Sequence, residues 1–90
     1  MEEHSHPNQK SVINRLARIS GHANAIKKMV EEGRGCSEVL IQLAAVKSAL
    51  NNVGKLIIKD HMNHCVIEAV EENNMEVLDD LNDAIDKFLK

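Results

Sequence analysis

The stretch CSEVLIQLAAVKSALNNVGKLIIKDHMNHC, Cys36 to Cys65, decides the fold. Within it Val39, Leu43, Val46, Leu50, Val53 and Ile57 recur at alternating steps of four and three, and no proline interrupts them. That rhythm is the seam of a bundle helix. With Ser37 placed to cap its start, one helix is expected from about residue 37, through DHMNHC, to about residue 70.

Upstream, Val12, Leu16, Ile19, Ala23, Ile26 and Val30 repeat the pattern, so a first helix is expected over about 8–32, with Gly33 as its C′ cap and Gly35 loosening the link. Pro7 suits a first helical turn, and residues 1–7 are expected to form a flexible polar tail. Downstream, Asn73 and Glu76 are spaced like a capping box, and Val77, Leu81, Ala84 and Phe88 mark a short third helix. The fold class is all-α: two long helices and a short third in a single domain, residues 1–90. The apolar stripe of the second helix is too long for the third to cover. Helices 1 and 2 are therefore expected to pair with another copy as an antiparallel four-helix bundle.

Composition agrees. The chain has no Trp or Tyr and one Phe, and a core of this size built from Leu, Ile, Val, Ala and Met is marginal without oligomerisation. Residues 10–59 carry nine Lys or Arg against three acids, whereas residues 60–90 carry two against nine. The net charge of −3 thus conceals a basic half able to face a polyanion. No apolar run reaches the ~18 residues that span a bilayer, and MEEHSHP resembles no secretory leader, so a cytoplasmic protein is expected. In that reducing setting two cysteines favour metal or redox chemistry over a structural disulfide.

DHMNHC places Asp60, His61, His64 and Cys65 within six residues. His61 and Cys65 stand at i and i+4 on one side of the helix, able to share an ion. The remaining thiol, Cys36, lies 29 residues earlier on the same helix, roughly 40 Å away at ~1.5 Å per residue. It closes a site only in an antiparallel dimer, where the start of one long helix meets the end of its partner. Each C2 dimer then holds two equivalent sites.

Two thiolates and an imidazole form a soft, low-coordinate set suited to Cu(I), while Ni(II) or Zn(II) calls for a fourth ligand, available from His4 or His6. His64 points about 100° away and is expected outside the site. Asp60 is read as a solvated acid. Arg15 and Arg18 share a face of helix 1, and Lys47, Lys55 and Lys59 line helix 2, so DNA would be met largely through phosphates. No nucleophile is paired with a general base in a cleft, which argues against an enzyme.

Three stretches, RLARISGH (Arg15 to His22), CSEVLIQLAAVKSAL (Cys36 to Leu50) and DHMNHC, together resemble the copper-sensitive operon repressors, the CsoR/RcnR family, over about residues 8–89. The resemblance implies an antiparallel dimer and a disc-shaped homotetramer that binds operator DNA as apoprotein and leaves it on binding metal, switching on a metal exporter. It implies Cys36, His61 and Cys65 as Cu(I) ligands, and Arg15, Arg18 and Lys47 (where Arg is common) as DNA contacts. Copper sensors of the family often carry a Tyr before the first Cys and an acid in helix 3 as an outer shell. Here these places hold Gly35 and Asp79 or Asp80, of which Asp80 is taken as the outer-shell acid. Nickel and cobalt sensors add an N-terminal His, matched by His4. Persulfide sensors use two cysteines at the spacing of Cys36 and Cys65 and generally lack the His.

Overall fold

The computed structural model describes residues 8–90, apart from the side chains of Asn63 and Cys65. The expected tail, with Pro7, His4 and His6, lies outside the described residues. Three helices follow one another, α1 (Gln9–Glu31), α2 (Cys36–Glu72) and α3 (Glu76–Leu89), and the described residues contain no strand. The protein is all-α, as the periodicity predicts, and both long helices end within two residues of their expected places.

Two compact units share this chain. The first comprises Gln9–Val53, that is α1 and the first half of α2. Ile26, Val46 and Val53 are its buried apolar side chains, and all three belong to the predicted seams. The turn between its helices is a complete Schellman motif. Gly33 takes a φ of 75°, Arg34 N–H donates to the Met29 carbonyl (3.0 Å) and Gly33 N–H to the Val30 carbonyl (3.1 Å), so two orphan carbonyls of α1 are satisfied.

Ser37 does not cap α2. The helix starts one residue earlier, and the Gly35 carbonyl accepts from Val39 N–H at 3.1 Å, which gives Gly35 the N-cap place. Arg34 instead braces this start through both guanidinium arms, donating to Glu38 Oε1 and Oε2 at 3.0 Å each. The hydrogen bond and then the charge of Arg34 hold the Glu38 carboxyl below its usual range, and Glu38 raises Arg34 in the same way.

The second unit gathers Gly54–Lys90 with Asn8. Its tightest approach is between Gly54 of α2 and the Phe88 ring of α3: a β-carbon at residue 54 would fall inside that ring. Glycine in mid-helix is unfavourable by about 1 kcal/mol relative to alanine, and here the close approach of α3 requires it. Ala69 is the buried apolar residue of this unit.

The predicted Asn73 capping box is displaced by one residue. Asn73 adopts the left-handed conformation, φ 52°, as the residue after α2, and Asn74 N–H closes back to the Ala69 carbonyl (3.1 Å). Asn tolerates that conformation because its short amide hydrogen-bonds locally. The Glu76 N–H is instead received by Asn74 Oδ1 at 3.2 Å, and Met75 is the N-cap of α3.

Candidate metal and DNA sites

Cys36 is the first residue of α2 and is exposed. The start of the helix thus presents a thiol to the surroundings rather than to the core. His61 and Cys65 belong to the second half of the same helix. His61 is half-buried, while the side chain of Cys65 lies outside the described residues. Among the described residues no three His, Cys, Asp or Glu side chains converge on one point.

His64, expected to point elsewhere, has its Nε2 at 3.7 Å from Glu68 Oε1, one turn on. Asp80, the proposed outer-shell acid, is exposed on α3, as is its neighbour Asp79.

Asp60 corrects the reading of a solvated acid. It is the buried charged residue among those described, 9% exposed, and both oxygens are engaged. Asn8 Nδ2 donates to Oδ1 at 2.9 Å and Asn8 N–H to Oδ2 at 3.2 Å. A buried carboxylate is tolerated only when its acceptors are filled, and here one residue fills both.

The signal was present in the sequence. Steps of seven from Val39 through Val46 and Val53 arrive at Asp60, so it occupies a seam position where an apolar residue would otherwise stand.

On the basic half, Arg15, Arg18, Ile19 and His22 of α1 face Ala49 and Asn52 of α2 across a groove of about 220 Å³. Arg15 is steadied by its own helix, Nε donating to Ser11 Oγ at 3.2 Å. His22 Nε2 lies 2.6 Å from Gln42 Oε1, and since an amide oxygen only accepts, that nitrogen carries the proton. This bond orients the ring at the edge of the groove. The structure thus brings Arg15 and Arg18 together as predicted. Lys47 is exposed on α2 and does not line the groove, while His22 and Asn52, neither of them expected as a DNA contact, line it beside the arginines. Two guanidiniums beside an imidazole and an amide make a surface suited to phosphate oxygens.

A model described as a metal-sensitive transcriptional repressor matches residues 8–87. The chain belongs to this family. The copper-sensing transcriptional repressor CsoR of Bacillus subtilis is 38% identical over 98% of this chain and 94% of its own. The nickel-responsive transcriptional regulator InrS shares 48% identity and a TM-score of 0.75 over 97% of this chain and 99% of its own. The crystal structure of the copper-sensing repressor CsoR with Cu(I) from Geobacillus thermodenitrificans NG80-2 superposes with a TM-score of 0.85, at 36% identity, over 100% of this chain and 95% of its own.

Members of the metal-sensitive repressor family are regulators rather than enzymes, and this chain is a metal-sensing transcriptional repressor, a class that binds operator DNA. Among the described residues no helix is long and apolar enough to cross a membrane.

Proposed function

We propose that the chain, residues 1–90 acting as one unit in the cytoplasm, is a Cu(I)-sensing repressor. It holds operator DNA as apoprotein and releases it on metal binding, derepressing copper efflux. The observation that carries this reading is the donor set: an exposed Cys36 at the head of α2 and the His61, Cys65 pair one turn apart in its second half. Two thiolates with one imidazole suit a soft ion of low coordination number. Cys36 would come from one protomer and His61 and Cys65 from its antiparallel partner, with Asp80 in the outer shell. The similarity to copper-sensing repressors supports this choice of metal.

Pairing of protomers is supported by the faces left bare. Leu43, Leu50 and Ile57, alternate positions of the α2 seam, remain exposed in the single chain, as expected where a second hairpin completes a four-helix bundle and two such dimers form a tetramer. Arg15, Arg18 and Lys47 would meet the operator phosphates. Bound metal would supply one thing, a crosslink between protomers, and by linkage it must bind the DNA-free form more tightly than the DNA-bound form.

The second reading is nickel or zinc sensing, with His4 as the fourth ligand, favoured by the similarity to a nickel-responsive regulator. Anaerobic titration with Cu(I) and with Ni(II), read by stoichiometry and X-ray absorption on wild type and His61→Ala, separates the two. One Cu(I) per protomer with two sulfurs and one nitrogen, lost in His61→Ala, establishes the copper reading. A four-coordinate Ni(II) site that needs His4, with weak Cu(I) binding, replaces it. If neither metal binds tightly, Cys36 and Cys65 act as a thiol or persulfide switch.

A further inference from the structure

Asp60 stands one residue before His61, in the turn that bears the proposed ligands, yet both its oxygens are spent on Asn8. Asn8 immediately precedes α1 in the chain. The first turn of α1 has no acidic residue of its own. Along α1, Arg15 follows Asn8 by about two turns and Arg18 by about three. One pair of hydrogen bonds thus ties the ligand-bearing turn to Asn8, the residue from which the chain enters the helix that carries the predicted DNA contacts.

We propose that Asp60 is a positioning residue for the metal response, and that its bidentate contact with Asn8 transmits a change at the ligand turn to the start of α1. The proposal rests on the metal-sensing reading above. Ligation at His61 and Cys65 re-aims the turn that also carries Asp60. Hydrogen bonds at 2.9 and 3.2 Å weaken steeply when their angles are disturbed, and Asn8 has no second carboxylate within its own helical turn. Loosening it frays the first turn of α1 and shifts the arginines.

A polar residue at a bundle seam is costly to bury. Its best-attested use is to fix one arrangement over others, here the apo arrangement. Asp60 itself takes no metal in this scheme, because both oxygens are already engaged.

The test uses the full chain and two variants. Asn8→Ala removes one donor at a half-buried site, and Asp60→Asn keeps the shape but removes the charge. Should Asp60→Asn fold poorly, Asn8→Ala alone carries the comparison. Three quantities are read: Cu(I) stoichiometry by chelator competition, affinity for a labelled duplex from the promoter of its own gene with and without Cu(I), and amide hydrogen exchange of residues 12–15, the first amides of α1 with a carbonyl partner one turn back.

The variants should bind Cu(I) as wild type does. The metal-induced loss of DNA affinity should be smaller by about threefold to thirtyfold, the range for residues that couple two sites without touching either ligand. Residues 12–15 should exchange faster in both apo variants, and in wild type on adding Cu(I). Variants with the full copper response overturn the inference alone. So do variants that lose Cu(I) itself, since Asp60 would then belong to the metal site. A wild type whose DNA affinity ignores Cu(I) overturns the sensing reading and this inference together.

Discussion

Gly54→Ala should change sign with the residue at position 88. In wild type the added methyl would fall inside the Phe88 ring, and the ring, at the far end of a side chain near the end of α3, would swing away. Phe88 is 41% exposed, so its packing contributes about 1–2 kcal/mol of the roughly 1.5–3 kcal/mol that full burial gives. Alanine returns ~1 kcal/mol by helix propensity in α2. The net effect in wild type is between neutral and about 1 kcal/mol destabilising. In a Phe88→Ala background no ring remains to displace, and Gly54→Ala should stabilise by ~1 kcal/mol. That raises Tm by about 4–8 °C for a domain of this size. Far-UV circular dichroism melts of the four proteins, at one fixed protomer concentration because association shifts apparent stability, give the double-mutant cycle. An equal stabilisation by Gly54→Ala in both backgrounds would refute the packing of α3 on Gly54.

Ile26→Ala empties a position that is 6% exposed, and should cost about 2–4 kcal/mol in urea melts. Arg15→Ala should weaken operator binding and reduce the slope of log affinity against log salt by about 1, the signature of one lost phosphate contact; an unchanged slope would remove Arg15 from the DNA surface. Glu38→Gln should matter only in one direction of pH. The folded-state carboxyl is held low by Arg34, so its contribution is present above the unfolded value and fades as pH falls through the folded one. Because both partners are exposed, the difference between Glu38→Gln and wild type should be small near neutrality, absent in strong acid and suppressed by added salt.

Helix identity and extent were legible in the sequence because the seam of α2 repeats without interruption and Gly33 has the conformation its position demands. The proposed donor set, Cys36, His61 and Cys65, is chosen by chemistry alone, from thiols and an imidazole that suit soft ions, and among the described residues no three such side chains meet within one chain. What escaped depended on distant partners. Asp60 lies on the seven-residue step of Val46 and Val53, but an aspartate is mostly exposed unless paired, and its partner Asn8 is 52 residues away. Gly54 is read locally as a mild defect in a helix, and its need appears only when Phe88 arrives from α3. The N-caps of α2 and α3, Gly35 and Met75, each lie two positions from the expected Ser37 and Asn73, for a smaller reason. Neither cap uses its own side chain: Gly35 contributes only its carbonyl and Met75 makes no side-chain cap bond, so a search for capping side chains misses both.

The seam of α2 carries one more consequence. Within the first unit Val53 is 3% exposed, whereas Leu43 and Leu50 are 45% and 43% exposed. One flank of the seam is therefore covered by the α1 hairpin and the other is bare. A bundle helix buries both flanks, so Leu50 should lie against a second copy, and Leu50→Lys should drive a charge into that contact while leaving the Ile26 and Val46 side of the hairpin intact. Sedimentation should then show the 10.0 kDa chain shifting towards monomer with its helicity largely retained. If Cys36 meets His61 and Cys65 only across protomers, the same variant should lose the two-sulfur, one-nitrogen Cu(I) site in proportion to its dissociation, although no ligand has been touched. A monomeric Leu50→Lys that still binds Cu(I) in that geometry would mean the three ligands do not need two protomers.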